Sequence, residues 1–165
     1  MIKIIKGAEV YTPSYIGKKD VLIVGDKIEA VEKEIIVESN CAHIEMINGY
    51  DQYLVPGFID AHVHIMGGGG EGSYCSRTPE MTLTDATTSG ITTVIGVIGT
   101  DGTTRTMASL LAKCRALEEE GITSYIYTGS YQVPVKTLTD TIENDLILID
   151  KIIGSGEIAI SDHRS

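Results

Sequence analysis

The chain has 165 residues, 42% hydrophobic and 22% charged, which excludes a disordered, collagen-like or low-complexity chain and suits one packed domain or part of one. Its formal net charge of -10 disfavours nucleic acid and anionic membrane surfaces, since both would repel it. With no Trp and one Phe, the core has to be aliphatic and β-branched, which predicts strands.

The segment from Met1 to Lys6 has no long apolar stretch behind its charges, and no apolar run reaches the roughly 18 residues of a membrane span. Neither secretion nor membrane spanning is expected. Cys41, Cys75 and Cys114 are odd in number and lack C-x-x-C spacing, which suits reduced thiols and a cytoplasmic location.

Short apolar runs at Ile2 to Ile5, Val21 to Val24, Ile28 to Val31, Ile35 to Val37 and Ile44 to Ile47 are punctuated by Gly25-Asp26 and Asn48-Gly49. They predict an antiparallel meander over residues 1-55, one layer of a small β-sandwich-type segment. His43 falls within it and, being structural or surface more often than a ligand, is assigned no role.

From Pro56-Gly57 the pattern changes. A strand is predicted over Phe58 to Ile65, then a glycine loop at Gly67 to Gly70, then a helix entered at Thr78-Pro79-Glu80 and ending near Gly90. Ile91 to Ile98 has the apolar, β-branched character of a buried strand. Thr103 and Thr104 are the expected cap of a helix whose Met107, Leu110, Leu111, Cys114 and Leu117 recur at helical spacing, closed by Gly121. Ile122 to Thr128 predicts a third strand. Ile142, Leu146, Ile149 and Ile153 mark a third helix, although Leu146 to Ile149 is also a continuous apolar run, and Ile158 to Ser161 begins a fourth strand.

This β-α-β-α-β-α-β order implies an α/β fold with parallel strands and right-handed crossovers, either a doubly wound sheet or a barrel. No G-x-G-x-x-G follows the first strand, and polar residues cluster at strand C-termini, where a (β/α)8 TIM barrel builds its active site. About 110 residues follow Pro56, against roughly 250 for a whole barrel. Residues 56-165 are therefore expected to form the first half of a barrel, about four strands, with the C-terminal half missing from this chain.

The most informative feature for chemistry is Asp60-Ala61-His62-Val63-His64 at a strand end. Side chains at i and i+2 leave a strand on one face, so both imidazoles are expected to point to one place, a geometry suited to a metal such as zinc. Alone, H-x-H is a weak pattern. The glycines of Gly67 to Gly70 let backbone approach a ligand closely, and a flexible surface turn is the alternative. A phosphate loop is disfavoured because no Gly-Lys-Ser/Thr follows.

The run Val55 to His64 resembles the first-strand motif of the amidohydrolase superfamily. The Gly67 to Glu71 loop, Arg77-Thr78-Pro79, Gly129-Ser130-Tyr131 and Ser161 to Ser165 narrow the resemblance to the N-terminal part of the isoaspartyl (β-aspartyl) dipeptidases. The resemblance implies a metal-dependent hydrolase of the isopeptide bond in β-aspartyl dipeptides, with two divalent ions, Zn2+ foremost. His62 and His64 match the first two metal ligands. Gly69, Gly70 and Glu71 match the loop that holds the substrate, Glu71 pairing with its α-ammonium. Thr100 matches a substrate contact, with a helix-proximal cap shared with Asp101 and Thr103 as the alternative.

Tyr131 matches the residue that hydrogen-bonds the scissile carbonyl, and Arg164 matches the one that binds a substrate carboxylate. Asp162 and His163 are left as structural. Many members of the family carry a carbamylated lysine where Glu157 aligns. A glutamate already bears the bridging carboxylate, so Glu157 is expected as the third metal ligand. The family's remaining two histidine ligands, from the fifth and sixth strands, and its general base, an Asp near the last strand, have no counterpart among the 165 residues. The chain alone is thus expected to be inactive, and a homo-oligomer is expected at full length. The alternatives are another amidohydrolase, such as a D-aminoacylase or dihydroorotase, or a non-catalytic truncated fragment.

Overall fold

A computed structural model of the protein describes residues 1–38, 43–70 and 72–159. The chain divides into two compact units, Met1–Pro56 and Gly57–Ser165. No helix among the described residues is long and apolar enough to cross a membrane.

The first unit is a five-stranded sheet of β1 (Ile2–Tyr11), β2 (Tyr15–Val24), β3 (Lys27–Glu32), β4 (Ile44–Asn48) and β5 (Tyr53–Leu54). Antiparallel pairing joins β3 to β2 and β2 to β1, whereas β4 and β5 both run parallel to β1. The sheet is mixed, which corrects the expected antiparallel meander, and Ile35 to Val37 form no strand. Alternation buries Val10, Ala8 and Val21 between the strands' inward positions. Asp20, also buried, accepts hydrogen bonds from the amides of Gly7 (2.8 Å) and Ile35 (2.9 Å) and pairs with the Lys6 ammonium. Residues 33–35 therefore serve as a strap over this carboxylate instead of as a ladder strand.

The second unit is a parallel sheet of β6 (Phe58–Val63), β7 (Ile91–Gly96), β8 (Thr123–Thr128) and β9 (Ile152–Ser155), in that spatial order. Each crossover advances the sheet by one strand without reversal, as in the (β/α)8 barrel and unlike a doubly wound sheet. The crossovers carry α1 (Leu83–Thr87), α2 (Met107–Glu119) and α3 (Ile142–Leu148). The expected α/β parallel unit is present. Helix α2 buries Met107, Leu110, Cys114 and Leu117, spaced by three and four residues, against Val94, Ile126 and Ile152 of the sheet. Each such side chain contributes roughly 1.5–3 kcal/mol on full burial.

Three boundaries differ from the sequence reading. Helix α1 starts at Leu83, capped by Thr82 in a capping box with Asp85, because the backbone of Thr78 and Met81 is bonded to Gly68 and Ile65. Helix α2 is capped by Thr106 and not by Thr103 or Thr104, whose amides donate to Asp101. The third helix ends at Leu148 instead of continuing to Ile153. Ile152 and its neighbours pair with β8, so the fourth strand precedes Ile158.

The loop between β8 and α3 is tied down by Asp145, which is fully buried. Its carboxylate accepts from the hydroxyls of Thr128 (2.5 Å) and Thr139 (2.6 Å) and from the amides of Leu138 (2.9 Å) and Thr139 (2.8 Å). Burial alone would raise its pKa, but these hydrogen bonds more than offset that and hold it below the usual range. A depressed folded-state pKa stabilises fully above the unfolded value of about 3.9 and is lost as pH falls through the folded value. Asp145→Ala is expected to remove about 2–4 kcal/mol at pH 7, because it strands buried donors. Urea denaturation across pH 2 to 7 checks this, and the variant's stability should fall less steeply below about pH 4 than the parent's.

Candidate metal centre

His62 is the fifth residue of β6, His64 lies just past the strand's end, and Glu157 lies two residues past the end of β9. All three therefore stand at the C-terminal edge of the parallel sheet. Leaving β6 on one face, the two imidazoles stack with centroids 5.7 Å apart and planes inclined by 27°. Glu157 faces both, with Oε1 at 3.4 Å from His62 Nε2 and Oε2 at 3.3 Å from His64 Nε2. The three ligand atoms lie within 4.8 Å of one another.

Two readings of the cluster can be set against these separations. A charge-assisted N–H···O bond closes to about 2.7–2.9 Å. Two ligands each about 2.1 Å from a tetrahedral zinc stand roughly 3.4 Å apart. The observed spacing matches a shared cation and is too long for a strong direct bond. Burial points the same way: His64 Nδ1 and Glu157 Oε2 are both buried with no hydrogen-bond partner among the described residues. A buried carboxylate oxygen without a donor is costly unless a cation meets it. The donor set of two imidazoles and one carboxylate suits Zn2+.

The surrounding loops hold the imidazole of His64 in a slot. A Cβ on Gly68 would stand 3.1 Å from His64 Nδ1, and one on Gly99 would stand 2.6 Å from the same atom. Gly99 has φ of +78°, so this close approach and the left-handed turn both call for glycine there. Gly68 belongs to a loop laced to the segment beyond it: its amide donates to Thr78 Oγ1 (2.7 Å), and the amide of Gly70 donates to Ser76 Oγ (3.0 Å). Gly69 and Gly68 offer their carbonyls to the buried Arg105.

Thr100 follows Gly99 directly and is half-buried. Tyr131 is half-buried too, and its backbone carbonyl accepts from the amide of Ala159 (3.2 Å), which places it beside the segment that carries Glu157. Glu71 and Arg164 lie outside the described residues, as do Asp162 and His163. The sequence reading named Asp101 only as part of a helix-proximal cap with Thr103, and it did not single out Arg105 or Asp145. Asp101 accepts from Arg77 Nη1 (2.5 Å), from the amide of Thr104 (2.8 Å) and from the Thr104 hydroxyl. Burial would raise its pKa, but the bonds from Thr104 and Arg77 hold it far below the usual carboxylate range. The signal available for these residues was the density of Asp, Thr and Arg between two strands, a composition that surface loops share.

Comparison with known proteins shows what the chain is similar to. The β-aspartyl dipeptidase of the thermophilic, keratin-degrading Fervidobacterium islandicum has a crystal structure that matches with a TM-score of 0.93 and 52% identity, over 100% of this chain and 45% of that one. The same enzyme has been crystallised in complex with the β-Asp-Leu dipeptide. Among curated proteins, a dihydroorotase of Staphylococcus epidermidis is 31% identical over 93 residues, 56% of this chain and 21% of its own length. The chain thus spans less than half the length of these relatives. Residues 53–162, about two thirds of the chain, match the model of the Amidohydrolase family, and with the parallel β/α unit this shows that the chain belongs to that family.

Proposed function

We propose that this chain is the first part of an enzyme that hydrolyses the isopeptide bond of β-aspartyl dipeptides, with His62, His64 and Glu157 holding divalent metal, zinc foremost. The observation that carries the metal assignment is the spacing of one carboxylate against two imidazoles, one oxygen to each ring. Divalent metal held there supplies Lewis acidity and a water acidified towards neutral pH, the two needs of amide hydrolysis. Glu157 would bring a carboxylate of its own to hold the metal, so the lysine carbamylation of many family members would not be required.

The remaining roles are divided by chemistry. Tyr131 donates its phenolic proton as a hydrogen bond to the scissile carbonyl oxygen as negative charge develops on it. Gly69, Gly70 and Thr100 border the substrate, Glu71 pairs with its α-ammonium, and Arg164 pairs with its carboxylate through a planar fork. The general base and two further histidine ligands belong to later strands of the full-length enzyme, in keeping with the share of the relatives' length that this chain spans.

The deciding experiment is hydrolysis of β-Asp-Leu by the full-length protein, with α-Asp-Leu and dihydroorotate as controls, before and after chelation. Turnover of the β-linked peptide alone, abolished by chelator and restored by Zn2+, is the expected result. A metal-replete preparation that leaves β-Asp-Leu intact overturns the assignment. Tyr131→Phe is expected to lower kcat by about 10²–10³-fold with little change in KM, the cost of one oxyanion donor. Steady-state kinetics on β-Asp-Leu would read it, and a change confined to KM would remove Tyr131 from that role.

A further inference from the structure

Arg105 is charged, only 4% exposed, and immediately precedes Thr106, the N-cap of α2. Its guanidinium reaches 36 and 37 residues back along the chain: Nη1 donates to the carbonyl of Gly69 (3.0 Å) and Nη2 to the carbonyl of Gly68 (2.9 Å). Asp101, four residues earlier and itself held by Arg77, stands 4.0 Å from the same Nη1 and balances the buried charge. The target is not an arbitrary loop. Gly68 is the residue whose Cα faces the His64 imidazole, with Gly99 on the same ring nitrogen. Among the described residues His64 Nδ1 has no hydrogen-bond partner, so no bond at that nitrogen fixes the ring.

We infer that Arg105 is a positioning residue of the metal centre: by clamping the carbonyls of Gly68 and Gly69, it presses Gly68 against His64 and aims His64 Nε2 at Glu157. Metal-ligating histidines ordinarily gain their orientation from a hydrogen bond at the second ring nitrogen. Here packing replaces that bond, and the packing wall is set by a guanidinium fork. The two donors of a planar fork have fixed spacing, which matches two successive carbonyls and which an ammonium cannot reproduce. This inference rests on the metal-centre part of the proposed function and is independent of the substrate assigned there.

The test uses the full-length enzyme with Arg105→Met, which keeps apolar length and removes every donor, and Arg105→Lys, which can serve one carbonyl. Zinc affinity is measured by competition with a chromophoric chelator, and ligand geometry by the visible spectrum of the Co2+-substituted protein. Loss of an orienting partner of this kind costs about 10–100-fold in metal affinity. Arg105→Met is expected within that range and Arg105→Lys at its lower end, each with an altered Co2+ spectrum. If Arg105→Met does not fold, Arg105→Lys decides alone. Parental zinc affinity and an unchanged Co2+ spectrum in the folded variants overturn the inference. Because zinc is titrated without substrate, a parent enzyme that binds zinc but ignores β-Asp-Leu would overturn the substrate assignment alone.

Discussion

Glu157→Gln is expected to lower kcat for β-Asp-Leu by on the order of 10³-fold and to reduce the zinc retained per chain. The substitution preserves size and shape, so the segment after β9 should stay in place. What changes is charge and donor pattern: one carboxylate oxygen becomes an NH2 group, which cannot bind a cation. His62 and His64 each face one oxygen of Glu157, at 3.4 and 3.3 Å, so the amide spoils the approach to one ring or the other. Lewis-acid stabilisation is worth several kcal/mol, and each 1.4 kcal/mol is tenfold in rate, which sets the expected size. Metal analysis on the purified variant checks the cause separately from the kinetics. Full zinc content with parental kcat would falsify the placement of Glu157 in the centre.

The second large effect is expected from Gly99→Ala, a change of one methyl group. Two costs coincide at this position. Its φ of +78° imposes about 1–2 kcal/mol on any residue with a side chain. The methyl carbon would also stand 2.6 Å from His64 Nδ1, well inside van der Waals contact, so the ring must swing and carry Nε2 away from Glu157. Gly25→Ala separates the two costs, because Gly25 has φ of +66° with nothing within 4 Å of an added Cβ. Gly25→Ala should lose about 1–2 kcal/mol in chemical denaturation, and Gly99→Ala at least as much. Only Gly99→Ala should weaken zinc binding, by about 10–100-fold, the scale of a disturbed ligand orientation. Equal zinc affinities in the two variants would show that His64 is not held by the slot between Gly68 and Gly99.

Much of the barrel portion was legible because its signals are local. The apolar run from Ile91 and the recurrence of Met107, Leu110, Cys114 and Leu117 each describe one buried face, and α2 and β7 formed accordingly. The order of strands and helices carried the parallel α/β class, because a parallel pair needs a crossover. Residues whose polar groups are taken by loop bonds were misread. Thr78, Thr103 and Thr104 look like helix caps until Gly68 and Asp101 claim their polar groups, leaving the caps to Thr82 and Thr106. Leu146 to Ile149 reads as a helix or as a continuous apolar run; it is helical to Leu148, and the strand begins only at Ile152, where Ile126 on β8 supplies a partner. The parallel pairing of β4 with β1 was hidden for the same reason: alternation within a strand does not state its neighbour's direction.

For the candidate site, sequence by itself determined which side chains leave β6 on one face, since a strand's period is a local property of the backbone, and so it paired His62 with His64. It also determined, through motif resemblance, that Glu157 was a residue to test beside them. Only the tertiary structure decided that the Glu157 carboxylate meets both rings, that Gly68 and Gly99 wall His64, and that Arg105 and Asp145 are buried charges in use. Those facts depend on loops from different crossovers converging at one edge of the sheet. Convergence over tens of residues is set by packing and hydrogen-bond completion in three dimensions, which leave no periodic trace along the chain.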